Sequence, residues 1–219
     1  MALAAPTVAQ KKSSKVVNEA HVKYTLTAEG GMAAALTGSK IDLFFTSNNA
    51  KIVGDVMGGM IKLDGRFDNK KKTGLLLMDM MGQQKYMKLD EDTKGADQSK
   101  ATNQKPPKVE YTKNYKEIAG YKCQEVKMIL DGAPNPVIIY VTDKIEPSNL
   151  KDTEMMKFSG LKGFPLSWEM EAEGMKFVIE ATDVFLDKLS KKIFTPKIPE
   201  GYTEMTEEDM QQMGGTMGM

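Results

Sequence analysis

Along most of this chain apolar side chains recur at every second position. In "HVKYTLTAE", Val22, Tyr24 and Leu26 alternate with His21, Lys23, Thr25 and Thr27, the signature of a half-buried strand. "SKIDLFFTS" places Ile41, Leu43 and Phe45 on one face, and "NNAKIVGD" supplies turn residues before the next strand. "TGLLLMDMMGQQKYMKL" predicts a hairpin about "MGQQ". "VIIYVTD" is apolar at both parities, which predicts a strand covered on both faces. "PLSWEMEAEGMKFVIEATDVFL" predicts a hairpin turning at Glu173-Gly174, since Gly tolerates positive φ. Trp168, Met170 and Ala172 share one face of its first arm; Phe177, Ile179 and Ala181 share one face of its second. In "EIAGYKCQEVKMIL", Tyr121 and Cys123 have one parity and Val126, Met128 and Leu130 the other, and a bulge near Gln124 would bring both sets to one face.

The sum is roughly nine to eleven strands joined by short turns, which predicts a mainly β protein built on an antiparallel sheet or barrel. Two short helices are expected. "PSNLKDTEMMKFSG" gathers Leu150, Met155 and Phe158 on one side and ends at Gly160. "MTEEDMQQMGG" has Thr206 as N-cap, acidic residues at the positive end of the dipole, and Met205 and Met210 as a hydrophobic staple. Residues 90 to 107, "DEDTKGADQSKATNQKPP", hold almost no apolar side chain, so burial cannot offset their ordering entropy and a mobile loop is expected. The organisation read from the chain is therefore a flexible start over 1–15, one β-rich domain over 16–208, and a Met/Gly-rich tail over 209–219.

Composition narrows the function classes. The 219 residues carry 30 Lys plus Arg and 30 Asp plus Glu, a net charge of zero. Such balance offers no general attraction to a phosphate backbone, so nucleic acid is not an expected partner. One Cys and one His exclude an internal disulfide and a zinc site of several Cys and His ligands. No stretch has the length of a transmembrane helix. "MALAAPTVAQKK" is small and apolar, then abruptly polar, like the end of a secretory signal, which points to a periplasmic or secreted protein.

The candidate chemistry is thin. Cys123 lies within a strand, with the sole imidazole, His21, far upstream on what reads as the wetter face of its own strand; a packing role is expected, since buried Cys behaves as a small hydrophobe. "DEDTKGAD" puts Asp90, Asp92 and Gly95 at EF-hand positions, but Lys94 and Ala101 fall where oxygen ligands are required. Walker, dinucleotide and G-x-S-x-G signatures are missing, so no cofactor is expected. The unusual feature is 18 methionines. They could fill core gaps, line a cavity accepting varied apolar ligands, or supply soft thioether ligands to Cu(I), as Met210, Met213, Met217 and Met219 would in the tail.

Three phrases, "YKEIAGYKCQEVKM", "VTDKI" with "LKGFPLSWEM", and "FTPKIPEGYTEMT", resemble in their order an uncharacterised family of exported bacterial proteins, a domain of unknown function. The layout is similar to that of the GLPGLI family, and the likeness spans roughly residues 19 to 208. The resemblance implies the periplasmic lipoprotein-carrier-like fold: a curved antiparallel sheet, a half-barrel, with one to three short helices. The function expected is a non-enzymatic, exported binding protein holding a lipid or other hydrophobic molecule in the hollow of the sheet, with Tyr24, Leu43, Phe45, Met78, Met80, Tyr121, Phe164, Trp168 and Met170 as lining candidates. The alternatives are an envelope module that contacts another protein, and Cu(I) handling by the tail.

Overall fold

A computed structural model describes residues 17–89, 107–146, 161–172, 174–206 and 209. The expected flexible start, the loop over 90–106, the helix over 148–159 and the Met/Gly tail beyond 209 lie outside the described residues.

Twelve strands form one sheet: β1 (Ala20–Glu29), β2 (Ser39–Phe45), β3 (Asn49–Val56), β4 (Ile61–Asp68), β5 (Thr73–Met80), β6 (Gln83–Leu89), β7 (Lys108–Ile118), β8 (Tyr121–Ile129), β9 (Val137–Thr142), β10 (Phe164–Ala172), β11 (Met175–Phe185) and β12 (Thr203–Glu204). The spatial order is β12-β6-β5-β4-β3-β2-β1-β11-β10-β9-β8-β7. Two antiparallel meanders, β1 to β6 and β7 to β11, are thus joined by the pairing of β1 with β11. The sheet is mixed rather than purely antiparallel, because β12 lies parallel to β6. β12 and β7 are its edges and do not pair with each other, so the sheet is open. The helical residues described are two short 3-10 segments, Gly31–Leu36 and Lys191–Phe194, and Asp209, which is α-helical.

The second meander curls sharply. β7 and β11 are separated by three strands, which would hold them about 19 Å apart in a flat sheet. Yet Lys116 of β7 donates to Glu180 of β11 at 2.5 Å and its ammonium lies 5.4 Å from the Tyr140 ring of β9. Register places Glu125, Tyr140, Ser167 and Glu180 side by side across β8 to β11, so the end of β7 folds over that row. The register shift that permits this lies in β7, between Tyr111 and Tyr115. A bulge was expected in β8 near Gln124; β8 instead runs unbroken against β9. Cys123 and Val126 keep opposite parities, and each is fully buried in a separate cluster.

The main core joins Val22, Leu43, Phe45, Phe164, Leu166 and Val184 with Cys123 and Ile118. Phe45 and Phe164 rings meet at 5.3 Å, and Tyr24 meets Trp168 at 5.4 Å. After β11 the chain crosses back over β3 to β5 as a strap. Arg66 Nη1 donates to the Thr195 carbonyl at 2.8 Å, while Nη2 and Nε clamp Asp64 at 2.7 and 3.1 Å. Phe194 of the strap is buried, as are Leu75 and Leu77 of β5. Beyond β12, Thr206 Oγ1 accepts from the Asp209 amide at 3.1 Å and the Asp209 carboxylate accepts from the Thr206 amide at 2.8 Å. That reciprocal pair is the expected N-cap at Thr206.

Candidate functional site

The fixed parity of each strand and the unbroken registers of β2 to β6 stack apolar residues into cross-strand rows on one face. One row reads Ala181, Tyr24, Ile41, Gly54, Leu63, Met78 from β11 to β5. A second reads Val184, Val22, Leu43, Ile52, Gly65, Leu76. A third, from β1 to β6, reads Ala20, Phe45, Ala50, Phe67, Gly74, Leu89. On β6 the first row continues to Lys85, which pairs with Asp209 at 3.0 Å; the other positions are uncharged. The rows are buried toward β11 and β1, where the curled meander packs on them. Toward β3 to β6 they partly emerge: Ile52, Leu63, Phe67, Leu76, Met87 and Leu89 are each half-buried, while Met78 stays buried.

Glycines make this half of the face smooth. A Cβ at Gly65 would stand 3.0 Å from Ile52 Cγ2 and 3.1 Å from Phe67 Cε2, and one at Gly74 would meet Phe67 Cδ1 at 3.0 Å. The Phe67 ring therefore lies flat over two glycines of its own and the neighbouring strand. Leu63 lies likewise against Gly54, whose Cβ would meet it at 3.4 Å. A broad apolar surface with ring and branched side chains laid flat suits contact with an extended hydrocarbon. The opposite face carries Lys51, Asp64 and Arg66 in one charge cluster beneath the strap. A cleft of about 200 Å³ lies there among Val53, Asp55, Lys62, Leu77 and Tyr202. It is smaller than the roughly 300 Å³ lower bound of small-molecule pockets.

Of the expected lining residues, Tyr24, Leu43, Phe45 and Phe164 are core members, each at most 7 % exposed. Tyr121 and Trp168 are half-buried and pack against that core. Met78 is buried and Met80 half-buried on the apolar face of β5, while Met170 is exposed on β10. The half-buried set on β4 and β6 escaped the sequence reading. Its signal was the alternation Ile61, Leu63, Gly65, Phe67 in "IKLDGRFD", interrupted by a glycine that holds its place in the pattern without a side chain.

The reactive candidates are occupied by packing. Cys123 is fully buried, and burial pushes its thiol up to about 12. Burial, with the nearby Cys123, also raises the Tyr24 phenol well above its ordinary value; its hydroxyl donates to the Pro165 carbonyl at 3.1 Å. His21 lies with Lys23 and Thr25 on the wetter face of β1, as expected, opposite the buried Val22 and Tyr24. Its ring stacks on Phe44 at 3.9 Å and Phe185 at 5.3 Å and bonds Asp42 at 2.5 Å. Among the described residues no three of His, Cys, Asp and Glu are grouped to hold a metal ion. No helix among them is long and apolar enough to cross a membrane. The tail methionines Met210, Met213, Met217 and Met219 lie outside the described residues.

No protein-family model and no curated protein matches this chain. Among solved structures, it is similar to the lipoprotein LppX of Mycobacterium tuberculosis, with 11 % identity and a TM-score of 0.37 over 79 % of this chain and 89 % of that one. It is also similar to a β-barrel-like protein of the domain of unknown function DUF1849 from Brucella abortus, with 8 % identity and a TM-score of 0.36 over 80 % of this chain and all of that one.

Proposed function

We propose that this protein is an exported, non-catalytic carrier that holds a lipid or other long apolar molecule against the half-buried face of β3 to β6. The observation that carries the reading is the uncharged surface of Ile52, Leu63, Phe67, Leu76, Met87 and Leu89, partly exposed and smoothed by Gly54, Gly65 and Gly74. A sheet face facing water alternates to polar residues; this one stays apolar from β3 to β5 and meets Lys85 only at β6. The absence of catalysis is supported by the engagement of the single thiol and single imidazole in packing.

Binding of this kind needs no charged anchor. Each methylene removed from water contributes about 0.8 kcal/mol, so affinity for a saturated acyl series should tighten about fourfold per added methylene until the face is filled. The test is organic extraction of the purified protein followed by mass spectrometry, with an acyl-chain series titrated against the delipidated protein. A lipid should be recovered from the wild type and lost from Leu63→Lys/Leu76→Lys, whose altered positions are half-buried and tolerate a long amphipathic side chain. Recovery of no lipid, together with a flat chain-length series, would refute the reading.

A further inference from the structure

Antiparallel alternation puts the β1–β2, β3–β4 and β5–β6 connections at one end of the sheet and the β2–β3 and β4–β5 turns at the other. Along β1 to β6 the two ends differ in chemistry, while the adjoining β10–β11 hairpin carries Glu171 and Lys176. The first three connections read "GGMAAALTGS", "VMGGMI" and "MMGQ", without a charge between them. At the far end the β2–β3 turn reads "TSNN" and the β4–β5 turn "DNKKK", both polar and without methionine. Turns are ordinarily polar, so three adjacent uncharged, methionine-bearing turns are a departure that the fold does not require. Met32 is 91 % exposed, Met81 77 % and Met60 47 %. The turns are neighbours in space, since the Met81 amide donates to the Met60 carbonyl at 2.9 Å. Gly30 fixes the third one: its φ is 91°, and a Cβ there would stand 2.6 Å from the Gly174 carbonyl oxygen of the β10–β11 hairpin.

The backbone of two of these turns is left-handed. Met81 has φ 51° and precedes Gly82 at φ 88°, the left-handed pair of a two-residue hairpin. Asn or Gly takes the first position readily; a methionine there is strained. Met57 repeats the pattern at φ 55° in the β3–β4 turn. Lys72 at the far end and Ala119 before Gly120 take the same conformation, so the methionine side chains, and not the backbone, set this end apart.

We propose that this end of the sheet is a membrane-docking edge, whose turns sink their thioether side chains into the interfacial region of a lipid bilayer. The shape favours a bilayer over a protein. Six strands span about 24 Å, so the methionines form a line of separate tips rather than the roughly 800 Å² patch of a stable protein interface. The charges behind the tips are self-neutralised. On the opposite face, Lys40, Asp55, Lys62 and Asp79 are successive cross-strand neighbours of alternating sign, so insertion is shallow and indifferent to lipid headgroup charge. The proposal stands on the turns and is independent of what the apolar face holds.

The experiment is flotation of the full chain with phosphatidylcholine vesicles, with and without anionic phosphatidylglycerol and at low and high salt. The wild type should float with pure phosphatidylcholine and resist salt. Each exposed methionine removed should weaken partitioning about tenfold, since the apolar area leaving water scales with the side chain. Met32→Ser/Met60→Ser/Met81→Asn should abolish flotation and still unfold cooperatively, whereas Lys70→Ser/Lys72→Ser at the far end should float as the wild type does. Met81→Asn alone places the favoured residue in its turn, so it should be at least as stable as the wild type while floating less. A wild type that fails to float, a triple variant that floats equally well, or flotation that needs phosphatidylglycerol and vanishes in salt would overturn the proposal.

Discussion

The buried thiol predicts an alkaline weakness of the fold. Cys123 has no exposed surface, and burial raises its folded-state pKa from 9.0 to about 12. Above pH 9 the unfolded chain releases the thiol proton and the folded chain keeps it. The folded state then binds more protons than the unfolded one, so stability falls as pH rises. Any folded value well above 10 gives the same result in the window from pH 8 to pH 10: a loss of about 1.4 kcal/mol attributable to this one group. Burial also raises Tyr24, Tyr121, Tyr140 and Tyr202, which adds to the decline near pH 10. These tyrosines are present in both wild type and Cys123→Ala, as is any cavity cost at a fixed pH, so they cancel in the comparison. Urea denaturation of both proteins at pH 8 and pH 10 isolates the thiol. The wild type should lose about 1.4 kcal/mol more than the variant over that interval. Equal losses would mean that the thiol ionises freely in the folded protein and that its burial is misjudged.

Three further perturbations test other parts of the architecture. Gly65→Val should force the Phe67 ring off the sheet, given approaches of 3.0 to 3.3 Å already at the Cβ; overpacking of this kind costs about 1–3 kcal/mol, read as a lower urea midpoint. Arg66→Met removes the donors to the Thr195 carbonyl and to Asp64 and should destabilise by about 1–2 kcal/mol. It should also free the strap over Leu75 and Leu77, seen as faster tryptic cleavage at Lys191 and Lys192. Tyr24→Phe leaves the Pro165 carbonyl without its donor and should cost about 1–1.5 kcal/mol with no change in the Phe45–Phe164 packing, measurable by denaturation and near-ultraviolet dichroism.

What alternation along the chain determined is the identity of the strands and the facing of each side chain within them. Val22, Tyr24 and Leu43 fall inward where period two puts them, and the hairpins about Met81-Gly82 and Gly174 form where Gly permits positive φ. Those properties are local, since a strand's pleat fixes its two faces whatever lies beside it. The order of strands is not local. The pairing of β1 with β11, and of β12 with β6 in parallel, joins residues more than a hundred positions apart. Nothing within either segment encodes that choice. The tertiary structure therefore decided which apolar residues became core and which became surface. Phe45 and Phe67 occupy one cross-strand row separated by Ala50, with the same parity and the same chemistry. Phe45 is sealed by Phe164 of the curled meander, and Phe67, farther along the row, is left half open to water. Burial is set by what a neighbouring strand brings across the sheet, and a one-dimensional pattern holds no record of it.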